Sequence, residues 1–315
     1  MTTLYIDEKH LQLTSHRDVL EIRKPQQEEV QRIPLHLLST LIISSNITLT
    51  SLLIRKLTAN NVRLVVIDPK QKGTNAITQW SHHGNHQRRR QQILTFHQAD
   101  LCLPLVTECL ASKTTQQIKT IHSLETEKST HQTHKILTPL KNLQKQLTDH
   151  DQHSTITSID TTLGLEGGGS KLYFQWMQSW LPMHLGFRGR QKRPPKDPVN
   201  ACLSLGYTLL YHQAACVSST LGLDPAFGFF HQPAYNRLSL ACDLMEPLRP
   251  HLDQWILQLF NQRHLQLNHF HTQQNEACLL GKSGRQLFYQ NYESYRYFYQ
   301  RYLRQYCYHL IRQIE

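Results

Sequence analysis

The sequence predicts an α+β chain in which a small N-terminal β-rich, sandwich-like domain precedes a larger all-helical domain. Three observations carry that expectation. Short runs dominated by β-branched residues fill the first part and are separated by breakers such as Pro25, Pro34, Pro69 and Gly73. Farther on, apolar residues recur every three or four positions, the period of an amphipathic helix. At 315 residues the chain also exceeds the usual size of one domain. The boundaries implied are a β-rich domain over 1–82, a linker over 83–92 and a helical domain over 93–315.

In chain order, the first part offers Thr3–Ile6, Leu11–Thr14, Val19–Arg23, Leu41–Ser44, Ile47–Thr50, Arg63–Ile67 and Ala76–Trp80 as strands. One helix interrupts them. Thr50 or Ser51 can cap Leu52–Leu57, and Asn60 with Asn61 closes it. The polar, glycine-containing stretch Ser81–Arg90 reads as a linker or exposed arm. Beyond it, Ile118, Ile121 and Leu124, then Ile136, Leu137, Leu140, Leu143 and Leu147, mark helices. The Thr/Gln/His-rich background of residues 111–160 is polar enough for a solvated face or a partly mobile segment. From Leu172 onward aromatic and apolar residues thicken, as in Tyr173–Trp176 and Leu203–Tyr211, and should build the main core. Gly222 ends one helix and Asp224-Pro225 begins a turn, which leaves His231 on a loop ahead of a helix bearing Asp243 and Glu246.

Lysine plus arginine total 34 against 23 for aspartate plus glutamate, a formal charge of +11 that suits a polyanionic partner. Charge alone does not separate DNA from RNA or from an anionic membrane. No run of about eighteen apolar residues occurs, and the N-terminus lacks the basic-then-apolar layout of a signal peptide, so a cytoplasmic protein without a membrane span is expected. The seven cysteines are odd in number, widely spread and without a Cys-x-x-Cys, which disfavours a disulfide framework or a cysteine zinc site. Reduced, semi-buried thiols are the expectation. The twenty histidines sit mostly in polar stretches, so solvated surface positions are expected for all but His231.

The residues able to carry chemistry fall in separated segments. On a helix, the three-residue spacing of Asp243 and Glu246 stacks both carboxylates on one face, where a metal ion could use them. Leu240, Leu244, Met245 and Leu248 around them are apolar, so acids there need a reason; the commonplace alternative is a pair of acids on an exposed face. Pro247 can start a new helical turn, and Arg249 adds a cation one turn from Glu246. Glu166 precedes three glycines, where a turn would let a phosphate or another segment approach. Glu166, Asp243, Glu246 and His231 together offer hard oxygens and one imidazole, a set that suits Mg²⁺ or Mn²⁺ better than zinc. Such an ion polarises a phosphoryl oxygen and stabilises charge on the attacking and leaving oxygens.

Phosphate binding has its own candidates. The run Phe187–Asn200 displays Arg188, Arg190, Lys192, Arg193 and Lys196 on a backbone stiffened by Pro194 and Pro195, and reads either as a phosphate-tracking segment or as an ordinary solvated loop. Arg88-Arg-Arg90 is a shorter, weaker feature. The aromatic stripe from Tyr289 to Tyr302 could stack on bases, but such a stripe more often packs its helix onto its own domain.

Taken in order, Arg193-Pro-Pro-Lys196-Asp197-Pro198-Val-Asn200 running on to Tyr211, Gly228-Phe-Phe-His231, and Ser239-Leu-Ala-Cys-Asp243-Leu-Met-Glu246-Pro-Leu-Arg249-Pro250 resemble a known family. It is the CRISPR-associated integrase and endonuclease family, the large subunit of the spacer-acquisition complex. Leu163-Gly-Leu-Glu166-Gly, with Leu4–Asp7, Ile33–Leu35 and Val65–Asp68 in the β-rich part, extends the resemblance over nearly the whole chain.

The resemblance implies a β-domain through which two copies pair as a homodimer, a helical catalytic domain, and a small ferredoxin-like partner subunit flanked by two such pairs. It implies metal-dependent insertion of prespacer DNA into the CRISPR repeat array, a 3′-hydroxyl attacking a phosphodiester. By the same resemblance Glu166, His231 and Glu246 are metal ligands for Mg²⁺ or Mn²⁺ and Asp243 is the accompanying catalytic acid. Tyr211 and Arg249 fall near DNA, Asn200 supports the site, and Lys113 with the basic run touches the DNA backbone. Gln232–Arg237 departs from the arginine- and glycine-rich loop usual after the histidine. Two other functions stay open, a non-catalytic DNA-binding scaffold and a structure-selective nuclease for branched DNA.

Overall fold

The computed structural model describes residues 2–25, 27, 29–60, 62–67, 76–77, 85–125, 131–148, 158–191, 194–273 and 277–315, and it divides the chain into Met1–Ser81 and His82–Glu315. Strands dominate the first unit. They are β1 (Thr2–Ile6), β2 (Gln12–His16), β3 (Val19–Arg23), β4 (Val30–Pro34), β5 (Leu38–Ile43), β6 (Thr48–Leu49), β7 (Arg63–Val66) and β8 (Ala76–Ile77), with helix α1 (Ser51–Ala59) preceding β7. One sheet has the order β1-β5-β7-β8, parallel apart from β8. The other has the order β4-β3-β2-β6, antiparallel apart from β6. Leu13 and Leu20 of one sheet, Leu41 and Leu64 of the other, and Leu53 and Leu57 of α1 are at most 1% exposed and share one core. That common core makes the unit sandwich-like.

Local chemistry explains most of these elements. Thr50 caps α1, its hydroxyl accepting from Leu53 N at 3.2 Å. Pro34, expected as a separator, is instead the last residue of β4. β4 is an edge strand, where proline's missing N–H leaves no ladder bond unmade. Thr78–Trp80, expected to continue the last strand, lie outside the described residues.

The second unit contains α2 (His86–Phe96), α3 (Ala99–Leu124), α4 (His131–Thr148), α5 (Ile159–Trp180), α6 (Pro198–Thr220), α7 (Ser239–Met245), α8 (Arg249–Asn261) and α9 (Lys282–Ile314). The linker expected over 83–92 is corrected by α2, which takes up residues 86–92. Asn85 caps this helix by accepting from Arg88 N at 2.9 Å, and its arginines and glutamines are good helix formers. The unit is helical as expected, and within it β9 (Phe270–Thr272) and β10 (Cys278–Leu280) add one short antiparallel ladder.

The polar region after residue 111 is corrected as well. Lys113, Thr114, Gln117 and Thr120 of α3 are buried, and Thr114 donates to the Leu110 carbonyl at 2.8 Å and Thr120 to the Pro250 carbonyl at 3.2 Å. Residues 126–130 and 149–157 lie outside the described residues. Glu166 and its three glycines, expected at a turn, sit inside α5. Gly169 is where α4 meets α5: a Cβ there would stand 2.7 Å from Leu143 Cδ2, so close packing offsets a helix-propensity cost of about 1 kcal/mol.

Elsewhere the expected elements appear. Asp197 caps α6 by accepting from Asn200 N at 2.8 Å, with Pro198 in the first turn where its absent N–H has no partner to lose. The aromatic stripe of α9 packs inward: Tyr289, Tyr292 and Tyr299 are buried, and Trp255 of α8 meets the Phe288 and Tyr292 rings at 4.9 and 5.8 Å. All seven cysteines are thiols rather than disulfides. No helix among the described residues is long and apolar enough to cross a membrane.

Among the described residues, one histidine departs fully from the expected surface position. His212 of α6 is 6% exposed, and neither ring nitrogen has a hydrogen-bond partner. Burial pushes its pKa down to about 4. The unfolded chain therefore takes up this proton first, and stability falls as pH drops from about 6.5 through about 4. We expect this group to cost about 3 kcal/mol by pH 4, and His212→Phe to flatten that part of the profile in urea unfolding. An unchanged acid limb in the variant would remove His212 as its source.

Candidate active site

Asp243 and Glu246 share a segment but not a task. α7 ends at Met245, and Glu246–Leu248 continue as one 3-10 turn with Pro247 near its start, before α8 begins at Arg249. Asp243 is 0% exposed and accepts a set of donors from the segment that precedes its helix. Its Oδ2 accepts from Phe229 N at 2.8 Å and Phe230 N at 3.0 Å, while Oδ1 accepts from His231 N at 3.0 Å and lies 2.5 Å from His231 Nδ1. Burial pushes the Asp243 carboxyl up in pKa, against the opposing pull of His231 and the backbone amides. With Nδ1 engaged, Nε2 is the nitrogen left for a ligand, on a ring 24% exposed.

The loop carrying His231 is held from two sides. Gln92 of α2 donates to the carbonyls of Asp224 at 2.9 Å and Phe227 at 2.7 Å, and its oxygen accepts from Asp224 N at 2.7 Å. Gly228 then lets the chain run against α7: a Cβ there would collide with Asp243 Oδ2 and stand 2.8 Å from the Ser239 carbonyl carbon. Gln92, within the expected linker, thus supports the loop that carries the imidazole.

A second cluster centres on Lys113 of α3. Its Nζ donates to Glu166 Oε1 at 2.5 Å and to Glu246 Oε2 at 2.7 Å. Arg249 Nη2 lies 2.9 Å from Glu246 Oε1, and Ser170 Oγ donates to Glu166 Oε1 at 2.8 Å. Burial alone would raise the Glu246 pKa, but Arg249 and Lys113 outweigh it and hold the carboxyl at about 2. Glu166 follows the same pattern: burial raises its pKa and Lys113 pulls it below the ordinary glutamate range. Burial also works against the Lys113 charge, and the two carboxylates more than offset it. Lys113, expected to touch the DNA backbone, is a buried cation that keeps two acids ionised.

The fit of these residues to a divalent cation follows from the donor chemistry. Glu166 and Glu246 converge on one cation, here an ammonium, and His231 offers a free imidazole nitrogen. Hard carboxylates with one imidazole fit Mg²⁺ or Mn²⁺. As placed, no three His, Cys, Asp or Glu side chains among the described residues stand close enough to share an ion. Of the two acids that the three-residue spacing brings together, Asp243 spends both oxygens on amides and the imidazole.

The basic run has a built base. Arg190 donates to Asn200 Oδ1 at 2.9 Å and to Ser204 Oγ at 3.1 Å, while Asn200 Nδ2 donates to the Gly189 carbonyl at 2.9 Å and Asp197 Oδ2 at 2.6 Å. Arg188 is exposed, and Lys192 and Arg193 lie outside the described residues. Tyr211 uses its hydroxyl to accept from Leu238 N at 2.9 Å. Two residues escaped the sequence reading. Tyr207 donates to Asp253 Oδ1 at 2.6 Å, and its ring centroid lies 5.3 Å from the Arg190 guanidinium carbon and 5.0 Å from that of Arg249. Burial pushes the Asp253 carboxyl up to about 7. The signal was present as four-residue spacings, Tyr207 with Tyr211 and Arg249 with Asp253, which place each pair on one helix face.

A strand-rich unit followed by a helical one, whose interior joins ionised carboxylates, a carboxylate-held imidazole and buried cations, defines a two-part α+β protein with a buried charged cluster in its helical unit. The chain belongs to the family described as CRISPR associated protein Cas1, which matches residues 4–294. A curated relative, CRISPR-associated endonuclease Cas1 1 of Thermodesulfovibrio yellowstonii, is 44% identical over 142 residues, 45% of this chain and 45% of that protein. The match thus spans less than half of the relative's length. Among solved structures, a casposase bound to integration product is similar at TM-score 0.80 and 20% identity, over 99% of this chain and 91% of that one. A chain of a Cas6-RT-Cas1–Cas2 complex is similar at TM-score 0.82 and 21% identity, over 99% and 35%.

Because backbone and a buried carboxylate crowd Gly228, Gly228→Ala is expected to lower stability by about 1–3 kcal/mol in urea unfolding. A variant as stable as the parent would show that the loop yields freely and that Asp243 does not fix it.

Proposed function

We propose that this protein inserts prespacer DNA into the CRISPR repeat array by metal-assisted phosphoryl transfer between DNA strands. The observation that carries this reading is the convergence of Glu166 and Glu246 on one buried cation, beside an imidazole held by Asp243. Family membership supports it, as do the endonuclease named among the relatives and the casposase with its integration product among the structural neighbours.

In strand transfer the oxygen of a 3′-hydroxyl bonds to phosphorus while the bond to the leaving 3′-oxygen breaks; the attacking hydroxyl loses a proton and the departing oxygen gains one. One phosphodiester replaces another. Glu166, Glu246 and His231 would hold Mg²⁺ or Mn²⁺, which when bound polarises the phosphoryl oxygen and stabilises charge on the entering and leaving oxygens. Lys113 and Arg249 keep the two carboxylates ionised. Asp243 acts as a positioning residue by fixing the His231 loop and ring. Arg188 and Arg190 serve the DNA backbone, whose contacts place the substrate without reading its sequence. Pairing of two copies through the β-rich unit, and assembly with a small ferredoxin-like subunit, complete the reading; the neighbouring Cas1–Cas2 complex supports the second.

Glu166→Ala and Glu246→Ala are each expected to lower strand transfer by about a hundredfold or more, since each decade corresponds to about 1.4 kcal/mol of lost transition-state stabilisation. DNA binding should persist in both and weaken with salt, as phosphate contacts do. Strand transfer at the parent's rate in either variant would sink the catalytic assignment. Calorimetric titration with Mn²⁺ alone is expected to show binding to the parent and none to Glu246→Gln. Equal binding by the two proteins would place the metal elsewhere.

A further inference from the structure

Directly after His231 the chain forms a loop, residues 232–238, that no step of the proposed reaction uses. Its base is tied. Ser239 Oγ donates to the Gln232 carbonyl at 3.1 Å, the Arg237 guanidinium donates to the same carbonyl, and Leu238 N donates to the Tyr211 hydroxyl. Within the loop, Arg237 N donates to the Ala234 carbonyl at 3.1 Å, and Asn236 takes a left-handed conformation with φ of +55°, which asparagine tolerates better than most residues. The strapped loop lifts one ring into solvent. Tyr235 is 95% exposed.

Residues 232–236 are all exposed, and Tyr235 is the one large apolar side chain among them. A protein partner would call for a contiguous apolar patch, which this tip lacks. A single flat ring is what a nucleobase needs, because every base has a π-face and stacking tolerates any sequence. Reach agrees with this. Tyr235 lies four positions after His231, so their Cα atoms lie within about 14 Å of one another, a span of about four nucleotides at about 3.4 Å per step.

We propose that Tyr235 stacks on an unpaired base beside the reacting phosphodiester and so positions the DNA end relative to His231. The proposal rests on the reading of this protein as a DNA strand-transfer enzyme, and it concerns how that substrate is held rather than the bond that is made.

The test uses the full chain and a DNA duplex with an unpaired 3′ end carrying 2-aminopurine. The parent is expected to quench the probe on binding. Tyr235→Ala should abolish the quench and weaken binding about tenfold, the scale of one lost base–aromatic stack. Tyr235→Phe and Tyr235→Trp should keep both, and all four proteins should bind a blunt duplex alike. In strand transfer, Tyr235→Ala should raise KM for the DNA end with kcat little changed. Quench and affinity equal to the parent's in Tyr235→Ala would overturn the proposal, as would a Tyr235→Phe variant that fails like Tyr235→Ala. Quenching by a parent that transfers no strand would sink the enzymatic reading and leave the stack standing; a parent that binds neither DNA would overturn both.

Discussion

A lysine ammonium buried between two carboxylates is the interaction on which the second unit depends. Taking a charge out of water costs several kcal/mol per ion, so Lys113 is tolerable in α3 only with Glu166 and Glu246 against it. Glu246 accepts from Lys113 through one oxygen and pairs with Arg249 through the other. Arg249 then rests near the Tyr207 ring, whose hydroxyl is bound to Asp253. Each group makes the next one tolerable. Removal of one partner from such a buried pair typically costs about 3–5 kcal/mol, which is comparable to much of a domain's net stability. The charged groups therefore link α3, α5, α6 and α8 in one connected set.

Asp243 shows how spacing and role can separate. Three residues apart on a regular helix, it and Glu246 would offer parallel carboxylates to one ligand. The 3-10 turn at Glu246–Leu248 and the arrival of the Phe229–His231 amides assign them to different partners. A carboxylate that accepts three backbone N–H groups and an imidazole has little capacity left for a metal ion. Its contribution is to keep one nitrogen of His231 occupied and the other available, the arrangement that fixes a histidine's tautomer in metal and catalytic sites.

The fold class was legible because its signals are local. Runs of β-branched residues marked the strands, and Thr50 and Gly222 punctuated helices in the sequence itself. The separated motifs also brought Glu166, His231, Asp243 and Glu246 into view together. What the sequence concealed depends on tertiary partners. Residues 86–92 look like a charged arm until Gln92 is seen holding the turn at Asp224. The glycines after Glu166 suggest a turn until Leu143 is found against Gly169. Lys113 resembles any other cation in a polar stretch, because nothing local distinguishes a lysine bound for solvent from one whose acids lie 53 and 133 residues away.

Charge completes the logic of the site. Lys113 and Arg249 balance Glu166 and Glu246, two cations against two anions, so this part of the centre carries no net charge of its own. A polyanion that approaches it meets neither the repulsion of bare carboxylates nor the trap of unpaired arginines. Attraction comes instead from the excess of +11 over the whole chain. Screening limits that pull to about 8 Å at physiological salt, so its effect at any one place falls to the exposed cations there rather than to the total. In the proposed function, binding and chemistry thereby fall to different layers of one unit: exposed cations such as Arg188 would gather the nucleic acid, and the buried, electrically balanced set would serve the reaction. That separation suits a reaction whose catalysis rests on positioning and preorganised charge rather than on a covalent intermediate.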